Sequence, residues 1–345
     1  MKVFLTGGTG FIGQALMRAM AARGWQVKAL VRDPAGAAAQ WLQQMGATLV
    51  AGDVTQVEGL LPALAHSDVV LHNAGVYEIG ADAATAERMH RANVVGTQNV
   101  LGAALAAKIR RTVYVSSVWA LGDSGPALAD ETHRHDGRFF TAYDRSQFTA
   151  HREALRLRNQ GLPVSIAMPN VVVGANDHAV FGYFLRLYLL NRLPPVGFGA
   201  DAIYAPVDVD ALAQGLCLVA EKATMGRDHL FCGEPQTVRQ MFAHWGRHPG
   251  GMQPRFWLSA AAMRTQAGLM EPLLRRAGLP AFLSREAVDL TRAHLHYSAA
   301  KAQRELGWSH PDAATMWDRI VERELERMAG RRSFLDKLAH QPLWV

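Results

Sequence analysis

The most constraining feature of this chain is its opening, where Lys2-Val3-Phe4-Leu5-Thr6 runs directly into Gly7-Gly8-Thr9-Gly10-Phe11-Ile12-Gly13. A short β-prone run is broken by spaced glycines, and a helix-like stretch from Phe11 to about Arg23 follows, closed by Gly24. Glycines at this spacing let a backbone turn tightly, approach a pyrophosphate and pack a helix against a strand. The helix start then presents free N–H groups to phosphate oxygens. The pattern reads as a dinucleotide-binding βα turn contacting its ligand through Gly7, Thr9, Gly10, Phe11, Ile12 and Gly13.

The same rhythm continues. Strands are expected at Gln26–Val31, Thr48–Ala51, Asp68–His72, Arg111–Ser116 and Val164–Ala167, with helices between them. One helix holds Trp41 and Leu42, and a long one runs from Tyr143 to Asn159 and stops at Gly161 and Pro163. Alternating strands and helices force parallel pairing through right-handed crossovers. The expected fold is therefore α/β, a Rossmann doubly wound parallel sheet with a smaller C-terminal substrate-binding lobe. Beyond Pro169 the spacing becomes irregular, with Pro194-Pro195 and isolated helical segments. The division expected is an NAD(P)-binding domain over 1–170 and a mainly substrate-binding lobe over 171–345, with segments near 207–220 returning to the Rossmann core.

Composition narrows the class. Hydrophobic residues make up 49% and charged residues 19% of 345 positions, which suits a folded globular body of at most two compact units. The first residues lack the regions of a secretory signal, and the apolar stretch Phe181 to Leu193 is short and interrupted by Arg186, Asn191 and Arg192. A cytoplasmic protein without integral membrane association is expected. Two cysteines, Cys217 and Cys232, give neither a disulfide framework nor metal-ligand spacing. The pairs His133/His135 and His294/His296 lack a third ligand, so no metal site is expected. The net charge of +6, with Arg275, Arg276, Arg285, Arg292, Arg331 and Arg332 toward the C-terminus, suits an anionic ligand. No sequence-readable nucleic-acid motif accompanies it, and no nucleic-acid partner is expected.

Arg32-Asp33 ends the second strand. An acidic residue there binds an adenosine ribose hydroxyl, whereas an arginine accommodates a 2′-phosphate. Arg32 comes first, so NADP is expected ahead of NAD, with Asp33 able to reverse the preference.

Further motifs stand in order: Gly52-Asp53-Val54, His72-Asn73-Ala74-Gly75, Asn93-Val94-Val95-Gly96-Thr97, Ser116-Ser117, Tyr143, Met168-Pro169-Asn170 with Gly174, Val207-Asp208-Val209-Asp210, and Lys301 to Trp308. From Met1 to about Trp308 the chain resembles the extended short-chain dehydrogenases, nearest to the dihydroflavonol-reductase-like and sugar-epimerase-like branches. The resemblance implies that Asp53, Val54, Asn73, Ala74, Gly75, Asn93, Pro169 and Asn170 join the glycine loop in holding the cofactor. It also implies Tyr143 as acid or base on the substrate oxygen, Ser117 beside the same oxygen with Ser116 its neighbour, and a homodimer through Ala92–Ala107 and Tyr143–Asn159.

One departure matters most. The resemblance implies a lysine one helical turn after the tyrosine, on the same face, holding the nicotinamide ribose and lowering the tyrosine pKa. This chain has Gln147 there. A glutamine hydrogen-bonds ribose hydroxyls but carries no charge. Losing a cation about 4 Å from a phenolate at an effective dielectric near 20 forfeits up to ~4 kcal/mol, or ~3 pK units. Tyr143 then serves poorly as a base and suffers less as a neutral acid. Arg145 points to another helix face, and His151 lies one turn beyond Gln147. In the second lobe Phe181, Tyr183, Phe184, Tyr188, Trp257 and Met263 offer apolar surface, although large apolar residues usually serve packing. The function expected is reduction of a carbonyl on a small apolar or aromatic substrate. A nucleotide-sugar epimerase or dehydratase, and a catalytically silent dinucleotide-binding protein, stay open as alternatives.

Overall fold

The computed structural model describes residues 1–248, 251–276 and 284–329. Seven parallel strands form the central sheet: β1 (Lys2–Thr6), β2 (Gln26–Val31), β3 (Thr48–Ala51), β4 (Val69–His72), β5 (Arg111–Val115), β6 (Val164–Pro169) and an edge strand, His229–Phe231. Their spatial order is β3-β2-β1-β4-β5-β6-edge. Val3, Phe4, Leu5, Val69, Val70, Leu71, Val164 and Ile166 are buried without alternation, as a sheet covered by helices on both faces requires. The order reverses between β1 and β4, so a crevice opens at the carboxyl ends of these two strands.

Two strand ends differ from the sequence reading. β5 stops at Val115, and Ser116–Ser117 leave the sheet for a short 3-10 turn over Val118–Ala120. β6 runs past Ala167 to Pro169 because the edge strand supplies a partner there, with Pro169 opposite Phe231. Val207–Asp208 does not enter the main sheet but pairs with Val172–Val173. The helix after it, Val209–Lys222, packs on α1 (Phe11–Ala22) and delivers the edge strand beside β6. The return to the Rossmann core thus reaches Phe231, further than the expected 207–220. Trp308 seals that return: its indole N–H donates to the Ala211 carbonyl at 2.8 Å and its ring stands on Phe231.

The remaining residues build the second lobe from the helices Val180–Leu189, Val238–Trp245, Ala260–Arg276 and Arg285–Leu290 and from two-stranded pairs. Tyr188 and Met263, offered by the sequence as apolar surface, are buried, Tyr188 in the same hydrophobic core as the sheet and Met263 in a smaller cluster with Ala267 and Val288, and Trp257 packs on Phe242 beneath the Arg239 guanidinium. Arg331 and Arg332 lie outside the described residues. No helix among the described residues is long and apolar enough to cross a membrane.

Candidate active site

The glycine loop crosses the mouth of the crevice. Gly7 sits at φ +70°, and a Cβ on it would lie 2.6 Å from the Asn73 carbonyl oxygen. A Cβ on Gly13 would lie 2.0 Å from the Gly7 oxygen, so α1 and β1 approach as only glycine permits. α1 opens at Gly10 without a side-chain cap, which leaves its first N–H groups directed at the loop. Thr9 accepts from the Gln14 amide through its carbonyl, and the Phe11 ring lies beside Gly174. Ile12 is partly buried against the core.

At the end of β2 the Asp33 carboxylate accepts the Ala35 N–H at 3.0 Å and is engaged in its own turn. Arg32 is exposed and takes no part in a hydrogen bond or ion pair among the described residues. Asp53 likewise accepts the Thr55 N–H, and the Val54 carbonyl accepts the Asn99 side chain, which ties this loop to the helix Gly96–Ala106.

Beneath the loop runs a buried polar chain whose protons can be assigned. The Thr97 hydroxyl donates to the Asn93 carbonyl at 2.6 Å, so the His72 Nε2–H must donate to Thr97 at 3.1 Å. His72 Nδ1 is then an acceptor and takes the Thr6 hydroxyl proton at 2.7 Å. The Thr6 oxygen in turn accepts the Asn73 and Ala74 N–H groups, while the Asn73 amide donates to the Gly7 carbonyl. Burial lowers the His72 pKa to about 3, which keeps the ring neutral, as this tautomer needs. The Tyr114 phenol, stacked on His72, is pushed up to about 12 by burial, with the Thr97 and Ser116 hydroxyls near it pulling the other way.

The Tyr143 side stands across the crevice. The long helix Ala142–Asn159 begins with a capping box in which Thr141 accepts the Asp144 N–H and Asp144 accepts the Thr141 N–H. Burial pushes the Tyr143 phenol well above its ordinary value, and the Ser117 hydroxyl facing it pulls the other way. Ser116 instead meets His151, with Oγ 3.2 Å from Nδ1. His151 therefore supports the serine pair and does not replace a charge beside Tyr143; burial lowers its pKa to about 4. Arg145 lies over the Phe139 ring on another face of the helix.

Gln147 is 7% exposed, and its Oε1 is buried with no hydrogen-bond partner among the described residues. An unpaired buried acceptor one turn from Tyr143 is costly unless a ligand supplies the donor. Together with the Gly7–Gly13 cradle and the uncapped start of α1, it fits the hydroxyl-bearing end and the pyrophosphate of a dinucleotide.

Two residues expected at the cofactor are engaged within the protein. Asn93, in a π-helical turn over Arg91–Val95, accepts the Val76 N–H at 2.7 Å and donates to the Val76 carbonyl and to Ser146. Asn170, after Pro169, donates to the Leu295 carbonyl and accepts the Val171 N–H. The first holds the loop after Gly75; the second holds the end of β6.

The sequence reading missed Tyr77 and Glu286. The Tyr77 ring stands edge-on to Tyr143, centroids 4.7 Å apart at 84°. Glu286 lines a cleft of about 720 Å³ and accepts the Ala81 and Ala142 N–H groups, two residues that line the same cleft. Neither Tyr143 nor Ser117 lines that cleft.

Fold and site together define a Rossmann-type protein of the extended short-chain dehydrogenase class. The chain belongs to the NAD dependent epimerase/dehydratase family, whose sequence profile matches residues 3–232. It is 32% identical over 316 residues to the 4-hydroxy-2-methyl-3-oxo-4-farnesyl-3,4-dihydroquinoline-1-oxide ketoreductase of Stigmatella aurantiaca, covering 90% of this chain and 92% of that one. It is 30% identical to the 2-alkyl-3-oxoalkanoate reductase of Stenotrophomonas maltophilia, covering 89% and 94%. The dTDP-glucose 4,6-dehydratase DesIV of Streptomyces venezuelae, solved with NAD bound, shares the fold at a TM-score of 0.77 and 22% identity, covering 96% of this chain and 99% of that one.

Proposed function

We propose that the protein is an NADP-preferring oxidoreductase that reduces a carbonyl on a small apolar or aromatic molecule. The observation that carries this reading is the Tyr143 phenol, held neutral by burial, faced by Ser117 and with an uncharged Gln147 one turn away. A neutral phenol is a proton donor for a carbonyl oxygen that takes up negative charge. Ser117 orients that oxygen by a second hydrogen bond, and Gln147 Oε1 accepts from a ribose hydroxyl. The nicotinamide, when bound, supplies the hydride. Arg32 is exposed and unengaged beside an Asp33 already tied into its turn, which supports a role for it on a 2′-phosphate. The two relatives, both named as ketone or oxo-acid reductases, support the direction and the kind of carbonyl.

The exposed side of the long helix carries Arg145, Arg152 and Arg156. Arg156 is paired there with Glu153 at 2.8 Å, and a homodimer through this helix and Ala92–Ala107 belongs to the same reading; a monomer by light scattering would refute it.

Tyr143→Phe tests the assignment. It should leave NADPH affinity unchanged and lower carbonyl reduction by about 100-fold or more, the usual contribution of a positioned acid. Undiminished reduction would remove Tyr143 from the chemistry.

A further inference from the structure

The second lobe reaches the site through Glu286, on the helix Arg285–Leu290. Its Oε1 accepts the Ala142 N–H at 2.9 Å, and its Oε2 accepts the Ala81 N–H at 3.0 Å and the Gly80 N–H. Ala142 is the first residue of the long helix and precedes Tyr143. Gly80 and Ala81 close the loop that carries Tyr77, and Asn93 grips the other end of that loop at Val76. Tyr77 is thus suspended between two fixed points. The residue is 42% exposed, and its ring meets Tyr143 edge-on.

A carboxylate accepting three backbone N–H groups from two segments fixes their separation as no single-segment cap does. The segments here carry the two tyrosines. The Tyr77 ring, edge-on with its centroid 4.7 Å from that of Tyr143, flanks the Tyr143 ring on one side. That wall is apolar and flat, and it favours a ring over a hydroxyl-bearing sugar.

We propose that Glu286 is a positioning residue which, by joining Ala142 to Gly80–Ala81, sets Tyr77 as the specificity-determining wall beside Tyr143 and selects carbonyls attached to a planar apolar ring. The proposal rests on the reading of Tyr143 as proton donor and adds the substrate class of the same site.

An amide has one carbonyl oxygen, so Glu286→Gln can keep either Ala142 or the Gly80–Ala81 pair but not both; Glu286→Ala keeps neither. Backbone amide exchange should therefore quicken by about tenfold or more at Gly80, Ala81 and Ala142 in E286A, and at only one of the two segments in E286Q. With acetophenone and acetone as probe substrates, E286A should raise the acetophenone KM by about tenfold and the acetone KM by less than about twofold. NADPH affinity should not change. Tyr77→Ala should reproduce the acetophenone loss while leaving exchange at Ala142 untouched. Unchanged exchange at the three amides would overturn the proposal, as would equal losses on both ketones together with weaker NADPH binding. A wild-type protein that binds NADPH and reduces neither ketone defeats the carbonyl reading instead, and the exchange data still decide whether Glu286 joins the two segments.

Discussion

Gln147→Lys restores a cation one helical turn from Tyr143, and its effect can be sized from the site. Side chains four residues apart on a helix are neighbours at about 5–6 Å. A charge about 6 Å from the phenolate at an effective dielectric near 20 is worth ~3 kcal/mol, or ~2 pK units. Burial now holds Tyr143 high, with Ser117 opposing, so the variant's phenol should ionise about 2 units lower. With the proton about half transferred in the transition state, about half of that free energy reaches the barrier, a gain of about tenfold in rate. The overall equilibrium is fixed by the reactants, so kcat/KM for reduction and for the reverse oxidation must rise together. The assay is kcat/KM in both directions, followed by NADPH absorbance across pH, with NADPH affinity measured separately. The account expects the alkaline limb to move down by about 2 units and both directions to gain. A folded variant that binds NADPH normally, with neither the limb nor the rate altered, would refute the claim that position 147 acts electrostatically on Tyr143.

Two further outcomes follow from the same site. His72 and His151 have pKa values lowered by burial to about 3 and about 4, against 6.5 when free. A lowered histidine contributes stability that is complete above 6.5 and lost as pH falls through the window down to the folded value, so each should cost about 2 kcal/mol between pH 8 and pH 5. Urea unfolding of the wild type and His151→Asn at the two pH values isolates the His151 share, the variant losing about 2 kcal/mol less than the wild type between pH 8 and pH 5; an equal loss in both would contradict the neutral assignment of His151. Gly13→Ala places a Cβ 2.0 Å from the Gly7 oxygen, which requires the loop backbone to shift. NADPH affinity should drop by more than about tenfold, as isothermal titration would show, and unchanged affinity would mean that the loop is not the pyrophosphate site.

The sheet was legible where the chain itself carries the period. β1 to β4 lie within a residue of their expected bounds because each is a short apolar run between turn signals. The edge strand His229–Phe231 was not, since three residues carry no period and their place is decided by the Val209–Lys222 helix packing on α1. The same limit applies to the site. The residues of the glycine loop, Ser117, Tyr143 and Gln147 stand in local motifs, whereas Glu286 acts on Gly80 and Ala142 across more than a hundred positions and has no local signature. Asn93 and Asn170 were legible as positions, but only coordinates show that their amides hold Val76 and Leu295. His72 was visible within its motif, while its tautomer follows only from the proton that Thr97 gives to Asn93.

The central claim is that the crevice binds a nicotinamide dinucleotide and reads its 2′-phosphate through Arg32. Titrating the wild-type protein and Arg32→Ala with NADPH and NADH, by quenching of tryptophan fluorescence, tests it directly. The account predicts tighter NADPH binding in the wild type, a loss of about 10- to 100-fold for NADPH in the variant, as expected for a hydrogen bond between charged groups, and no change for NADH. Equal loss of both would deny Arg32 the phosphate, and binding of neither by the wild type would contradict the account as a whole.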